Sequence, residues 1–437
     1  MLSDPFTLSL LIIITIALGI ICWIVFLRKP LILIILSLLI LVSNVILEQE
    51  IISFEIGIYN INVLDFLSVF FITNAIGRIF LSPKKRRADF FIILLLGVLL
   101  FISWLRGIFV YGLEISTNSI RTYLYFYSFI FYTCNLEYSQ QLHDKVFSWI
   151  KKTGFLIIIV ALVRWALVIF SDVSSAAWVA PNGSMVRVLY ASAAFFVLQL
   201  LIILTHLKKP NENHVIFKLT QIAIICMILA LQQRTVWAAL LIFFILYLLF
   251  KYKQKNLVIL GIIFLTVITT FILVINDFSI ENLTGTALDF QNLKWRIEGW
   301  QSLLAPERFN SPLELLIGQP FGSGYSRFIF NSVFETTVSP HNFYIQTLLN
   351  IGSIGLLSLG FLYGSIIHQL LKLNQNKTSQ LLIILLTSQL VFYFSYAPSF
   401  EQGLILGLSI LYVQNVRNQQ IILMVPQNTG GNIGNLS

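Results

Sequence analysis

The chain has 437 residues, 57% of them hydrophobic and only 11% charged, with a mean hydropathy of +0.87. Soluble domains run nearer roughly 45–50% apolar and about 25% charged, so a soluble enzyme or binding module is excluded and an all-α polytopic membrane protein is expected. The net charge of +9 sits mostly in short loops between apolar runs, which excludes a nucleic-acid surface as its cause.

Apolar runs long enough to cross a bilayer fall at 7–27, 31–47, 63–81, 90–110, 119–134, 153–171, 188–206, 216–232, 235–251, 256–275, 341–367, 380–397 and 401–416. They predict twelve or thirteen transmembrane helices. The first reads as a span or a peripheral helix, and the last two as separate spans or one re-entrant unit. The chain then divides into N-terminal membrane helices (1–275), one large extracytoplasmic loop (276–340), C-terminal membrane helices (341–416) and a Gly/Asn-rich, disordered cytoplasmic tail (417–437). No cleavable leader is expected, because the first apolar run follows only "MLSDPF", without a basic stretch or a small-residue cleavage site. Cys22, Cys134 and Cys226 lie scattered in or beside apolar runs, which reads as buried small side chains rather than disulfides or zinc.

Basic residues fill every second gap between runs: "RKP" at 28, "SPKKRRAD" at 82, "KVFSWIKK" at 145, "LKKP" at 207, "KYKQK" at 251 and "LKLNQNK" at 371. The positive-inside rule makes that face cytoplasmic. The cytoplasmic set is mostly lysine. The opposite face carries Arg106, Arg121, Arg164, Arg187, Arg234, Lys294, Arg296, Arg308 and Arg327, all but one of them arginine. Guanidinium stays charged and grips phosphate with two parallel donors. Several of these lie within apolar runs, where an unpaired charge costs at least about 2.5–3.5 kcal/mol. Two readings stand: each arginine pairs with an acid such as Asp65, Glu114 or Asp172 or reaches for the interface, or together they build an anion site. Arg164 in "ALVRWALVIF" and Arg234 in the tight turn of "LQQRTVWAAL" fit the first reading least well.

The loop opens on polar "NDFSIENLTGTALDF". It continues with "QNLKWRIEGWQSLLA", an amphipathic helix with Trp300, Leu303 and Leu304 on one face and Arg296 and Trp300 as i, i+4 neighbours. Such a helix also suits the membrane interface. Gly322-Ser323-Gly324 reads as a flexible turn rather than a phosphate loop, since no GK[ST] follows. Of the five histidines, only His341 falls on the extracytoplasmic side. Pro340 before it suits a helix start. His341 is thus either a structural capping residue or a proton acceptor at the mouth of a span. No second outer histidine or cysteine is present, so no metal site is expected.

"KWRIEGW", "IGQPFGSGY" and "SPHNFYIQTLLNIGSIGLL" together resemble the core signature of the O-antigen ligase and polymerase family. The pattern pairs Arg296 with Trp300, then Gly322 and Gly324, then a Pro-His-Asn motif at 340–342 opening a span with Gly352 and Gly355. Arg234 matches the family's arginine in an earlier outer turn, with Gln233 where serine is common. The resemblance implies a metal-independent glycosyltransferase of the bacterial inner membrane, with no cofactor and with its active site facing the periplasm or exterior. It moves a glycan from a polyprenyl diphosphate donor to a glycan or lipid acceptor. His341, Arg234 and Arg296 are the implied catalytic residues, His341 taking the acceptor proton. Arg187, Arg164, Arg121, Trp300, Asn342 and Tyr325 are the implied substrate-binding residues. Without an obvious carboxylate pair, single displacement with inversion is expected rather than the retaining double displacement. A transporter or flippase of lipid-linked glycans is the alternative, although no paired half-repeats are visible.

Overall fold

A computed structural model describes residues 5–47, 53–56, 59–81, 88–171, 178–179, 186–207, 213–252, 291–309, 311–329, 334–373 and 376–424. The run read as a span at 256–275 and the polar opening of the loop lie outside them. Among the described residues the chain forms fourteen α-helices and three two-residue to four-residue strand pairs. It is an all-α polytopic membrane protein.

The N-terminal helices are α1 (Pro5–Arg28), α2 (Pro30–Leu47), α3 (Val63–Leu81), α4 (Ala88–Tyr111), α5 (Leu113–Cys134), α6 (Gln140–Ser171), α7 (Ala191–His206), α8 (His214–Ala230) and α9 (Arg234–Tyr252). Then come α10 (Gln291–Leu304), the short α11 (Pro312–Ile317), α12 (Phe343–Lys372), α13 (Lys377–Phe392) and α14 (Phe400–Met424). The hairpins are β1 (Ser53–Ile56) with β2 (Tyr59–Asn62), β3 (Trp178–Val179) with β4 (Val186–Arg187), and β5 (Arg327–Ile329) with β6 (Phe334–Thr336).

Six helices among the described residues are long and apolar enough to cross a membrane, and four shorter apolar helices accompany them. The helices at 119–134 and 401–416 occupy their expected places, yet α5 and α14 are the polar, buried centre of the bundle rather than apolar spans. Gly403 and Gly407 let them touch: a Cβ at Gly403 would stand 2.4 Å from Phe126 O, and one at Gly407 2.6 Å from Thr133 Cβ. The outer rim carries exposed Phe80, Phe109, Phe170 and Leu357, as a lipid-facing surface requires. The last two apolar runs are separate helices joined through residues 393–399. The tail expected to be disordered from 417 is instead helical through Met424, as a continuation of α14.

The feature that positions the site is a break in α12. Gly352 sits at φ 74°, ψ −177°, so the helix ladder is interrupted there. The freed carbonyls find partners outside the helix, as membrane depth demands. Leu349 O accepts from Gln319 N at 2.6 Å, and Asn350 O lies 2.7 Å from the Ser103 hydroxyl of α4. Arg106 of α4 donates to Gly318 O at 2.8 Å, holding the α11 exit loop against the break. A Cβ at Gly352 would lie 2.1 Å from Leu316 O. Gly352→Ala should therefore destabilise the protein by roughly 1–3 kcal/mol from the positive φ alone, with the backbone clash added. Thermal unfolding in detergent checks this; an unchanged melting temperature would count against the break as a fixed element.

Candidate active site

Asn342 starts α12 as its N-cap, its Oδ1 accepting from Ile345 N at 3.1 Å. The residues before it are pinned from several sides. Trp300 Nε1 of α10 donates to Pro340 O at 2.7 Å, Phe343 N donates to Tyr393 O at 2.9 Å, and Gln346 donates to the Ser339 hydroxyl. The outcome is a His341 held at φ 49°, a left-handed conformation uncommon for a residue with a side chain. Such strain persists where the surroundings over-determine it.

The half-buried His341 ring meets Trp295 edge-on at 5.9 Å between centroids and Tyr396 at 6.2 Å. The Trp295 ring also carries the guanidinium of Arg296 at 5.8 Å and that of Arg327 at 6.0 Å. Arg327 crosses α10 where Gly299 has no side chain, for a Cβ there would stand 2.6 Å from Arg327 Nε. Its Nη1 donates to Tyr325 O at 3.0 Å and to Val338 O. Arg327 is 2% exposed, and its Nε and Nη2 are buried without a hydrogen-bond partner among the described residues, as is Arg296 Nε. Neither arginine makes an ion pair among the described residues. Buried donors of this kind are suited to an anion or an ordered water.

Burial, then Arg296 and Arg327, pull His341 from its ordinary 6.5 down to about 4. The imidazole is therefore neutral at pH 7. Arg187, on β4, is also held below its usual value, by burial first and with Arg296 contributing, while Tyr396 acts the other way. Arg234 opens α9 after a turn in which Gln232 takes φ 54°. Gln233, at the position where the sequence pattern expects serine, donates to Leu189 O at 3.2 Å and lies 3.4 Å from the Tyr396 hydroxyl. Tyr396 thereby links the Arg234 turn to His341.

Other residues expected to bind substrate are engaged within the chain. Arg164 is buried and donates to Val188 O at 2.8 Å and to Val45 O, tying the end of α2 to the segment after Arg187. Arg121 pairs with Asp65 at 3.0 Å and also donates to Asn118 and Asn60 O. Trp300 and Asn342 shape the histidine turn, as described. Tyr325, its hydroxyl pushed up by burial, accepts from Asn350 Nδ2 at 2.9 Å. On α10, Trp300 and Leu303 turn inward as expected, but Leu304 is exposed.

Beside this cluster lies a cavity of about 600 Å³, within the usual ligand-pocket range of about 300–1,000 Å³. His341, Tyr325 and Tyr396 are on its wall, as are Gly322 and Gly324 of the expected turn, at φ 105° and 70°. Among the described residues no three His, Cys, Asp or Glu side chains gather as a metal site would need.

Sequence reasoning did not single out Trp295, Arg327 or Tyr396; Arg327 entered only as one of the outer arginines. Trp295 precedes Arg296, and Tyr396 lies in the linker between the last two helices. Their adjacency to known motifs was the available signal; the edge-on packing that joins them is tertiary.

Residues 219–360 match the family model described as O-antigen ligase. The match spans α9, α10, the α12 break and the His341 turn, and leaves Arg187 and Tyr396 outside it. A comparison with curated proteins finds no match.

Proposed function

We propose that this chain, a multi-pass membrane protein carrying an O-antigen ligase segment at 219–360, transfers a glycan from a polyprenyl diphosphate to an acceptor hydroxyl. The observation that carries the reading is a neutral imidazole set between arginines with unsatisfied buried donors and a ligand-sized cavity. The positive-inside pattern supports an extracytoplasmic position for this cluster, and the reading takes the membrane to be a bacterial inner membrane.

In this mechanism Arg296, Arg234 and Arg187 bind the diphosphate, and the buried Arg327 adds its charge beside Trp295. The acceptor oxygen attacks the anomeric carbon and forms the new glycosidic bond. The bond from that carbon to the diphosphate oxygen breaks, and its electron pair leaves with the diphosphate. Guanidiniums fixed in place stabilise that developing charge, the kind of preorganisation that dominates electrostatic catalysis. The proton of the acceptor hydroxyl passes to a ring nitrogen of His341. No carboxylate lines the cavity among the described residues, which supports one inverting displacement rather than a covalent glycosyl intermediate. Arg164, Arg121, Trp300 and Asn342 act by holding the backbone on which these groups stand.

The diphosphate also tunes the base. Burial first, and then the guanidiniums, hold His341 neutral but weakly basic. A bound dianion offsets their charge and raises the imidazole toward its ordinary value, when proton transfer is needed.

The test is reconstitution of the purified protein with a polyprenyl diphosphate-linked glycan and a glycan acceptor. The expected result is a longer glycan product and released polyprenyl diphosphate, unchanged by chelator. An intact donor with every acceptor overturns the reading, and activity lost to chelator overturns its metal-independence.

A further inference from the structure

We infer that the cavity beside His341 is the acceptor subsite and that it takes an uncharged glycan. The inference rests on the transferase reading above and narrows it to a substrate class. A base must touch the hydroxyl it deprotonates. The His341 ring is on the cavity wall, whereas the arginines gather around Trp295. The donor diphosphate therefore occupies the arginine side and the acceptor the cavity side.

The wall decides the chemistry of that acceptor. Among the described residues lining it there is no Asp, Glu, Lys or Arg. That is unexpected so close to an arginine cluster, and it leaves an anionic sugar with no charged group of the described wall in contact: Arg121 reaches only the back of Asn118, where it is paired with Asp65. The polar groups present are hydroxyls and amides, including Asn118, Ser119, Thr122 and Ser192, with aromatic rings between them.

The hydroxyls of Ser119 and Thr122 differ from several others in the helices. Ser37, Thr133, Thr205 and Ser409 each fold back to the carbonyl four residues earlier, the usual habit of a hydroxyl within a helix. Ser119 and Thr122 of α5 form no such bond among the described residues and line the cavity beside Ser192, which sits in the first turn of α7 with no helical carbonyl four residues before it. They are positioned to exchange hydrogen bonds with sugar hydroxyls, both donating and accepting. A carboxylate only accepts, and enclosing it unpaired is unfavourable.

The experiment uses one polyprenyl diphosphate donor with an uncharged glycan and a matched acceptor pair: a uronate-containing oligosaccharide and the same oligosaccharide after carboxyl reduction, which replaces each carboxylate by a hydroxymethyl group. The wild-type protein is expected to use the reduced acceptor about tenfold or more better in kcat/KM, the equivalent of about 1.4 kcal/mol. Thr122→Lys, which places a cation on the wall, is expected to narrow that gap. Equal use of both acceptors by the wild type overturns the inference, as does a gap that Thr122→Lys leaves unchanged. A donor left intact with both acceptors, with no polyprenyl diphosphate released, overturns the transferase reading instead.

Discussion

His341→Asn will lower kcat for glycan transfer by about 10²–10⁴-fold, the usual contribution of a positioned general base. Asparagine is the cleaner replacement because it tolerates the left-handed backbone that His341 adopts at φ 49°, where alanine adds strain. The variant should insert and melt like the wild type. Full transfer by a stably folded His341→Asn protein would leave the imidazole as a capping residue and nothing more.

The pH profile supplies an independent reading of the same group. The folded-state value is depressed to about 4, so the base form persists as pH falls through 6 and 5. The acid limb of kcat/KM, which reports the free enzyme, is expected near pH 4. The limb of kcat reports the donor-bound enzyme, in which the diphosphate offsets the guanidiniums. It is expected above the kcat/KM limb, because the guanidinium contribution is offset while burial still holds the ring below its ordinary value. Coincident limbs would mean that the arginines and the histidine do not share one bound anion.

The transmembrane layout was readable in the sequence because lipid-facing helices must be apolar at a span's length. The exceptions are informative. α5 carries Asn118, Arg121 and Thr122 and is surrounded by protein, so its composition understates its depth. The Pro-His-Asn turn was readable as a helix start from its proline, whereas the cap that the sequence offered to His341 is supplied by Asn342. What sequence could not give was the sorting of the arginines. Arg121, Arg164 and Arg296 look alike in the chain, yet the first meets Asp65, the second two carbonyls, and the third a tryptophan face. Only the packing of α10 against the α12 entrance decides which guanidinium keeps donors unsatisfied. Gln233 likewise reads as a departure from serine until its bonds to Leu189 O and Tyr396 are visible.

Arg296→Met separates stability from activity. Among the described residues Arg296 has a buried Nε without a partner and no ion pair, and its charge opposes both Arg187 and protonated His341. The cation is therefore held at a cost that the fold alone does not repay. Methionine keeps a long apolar stem against Trp295 and removes the repulsion, so thermal stability in detergent should rise by about 0.5–2 kcal/mol, the range typical of a relieved functional site. Transfer should fall by about 10²–10³-fold, as when one preorganised electrostatic donor is removed. Since Arg296 is one of the two guanidiniums that depress His341, the kcat/KM acid limb should move upward from about 4 in the same variant. The three effects have one origin and must appear together. A variant that melts lower than the wild type, or keeps its acid limb in place, would make Arg296 a structural residue and hand the diphosphate to Arg234 and Arg187 alone.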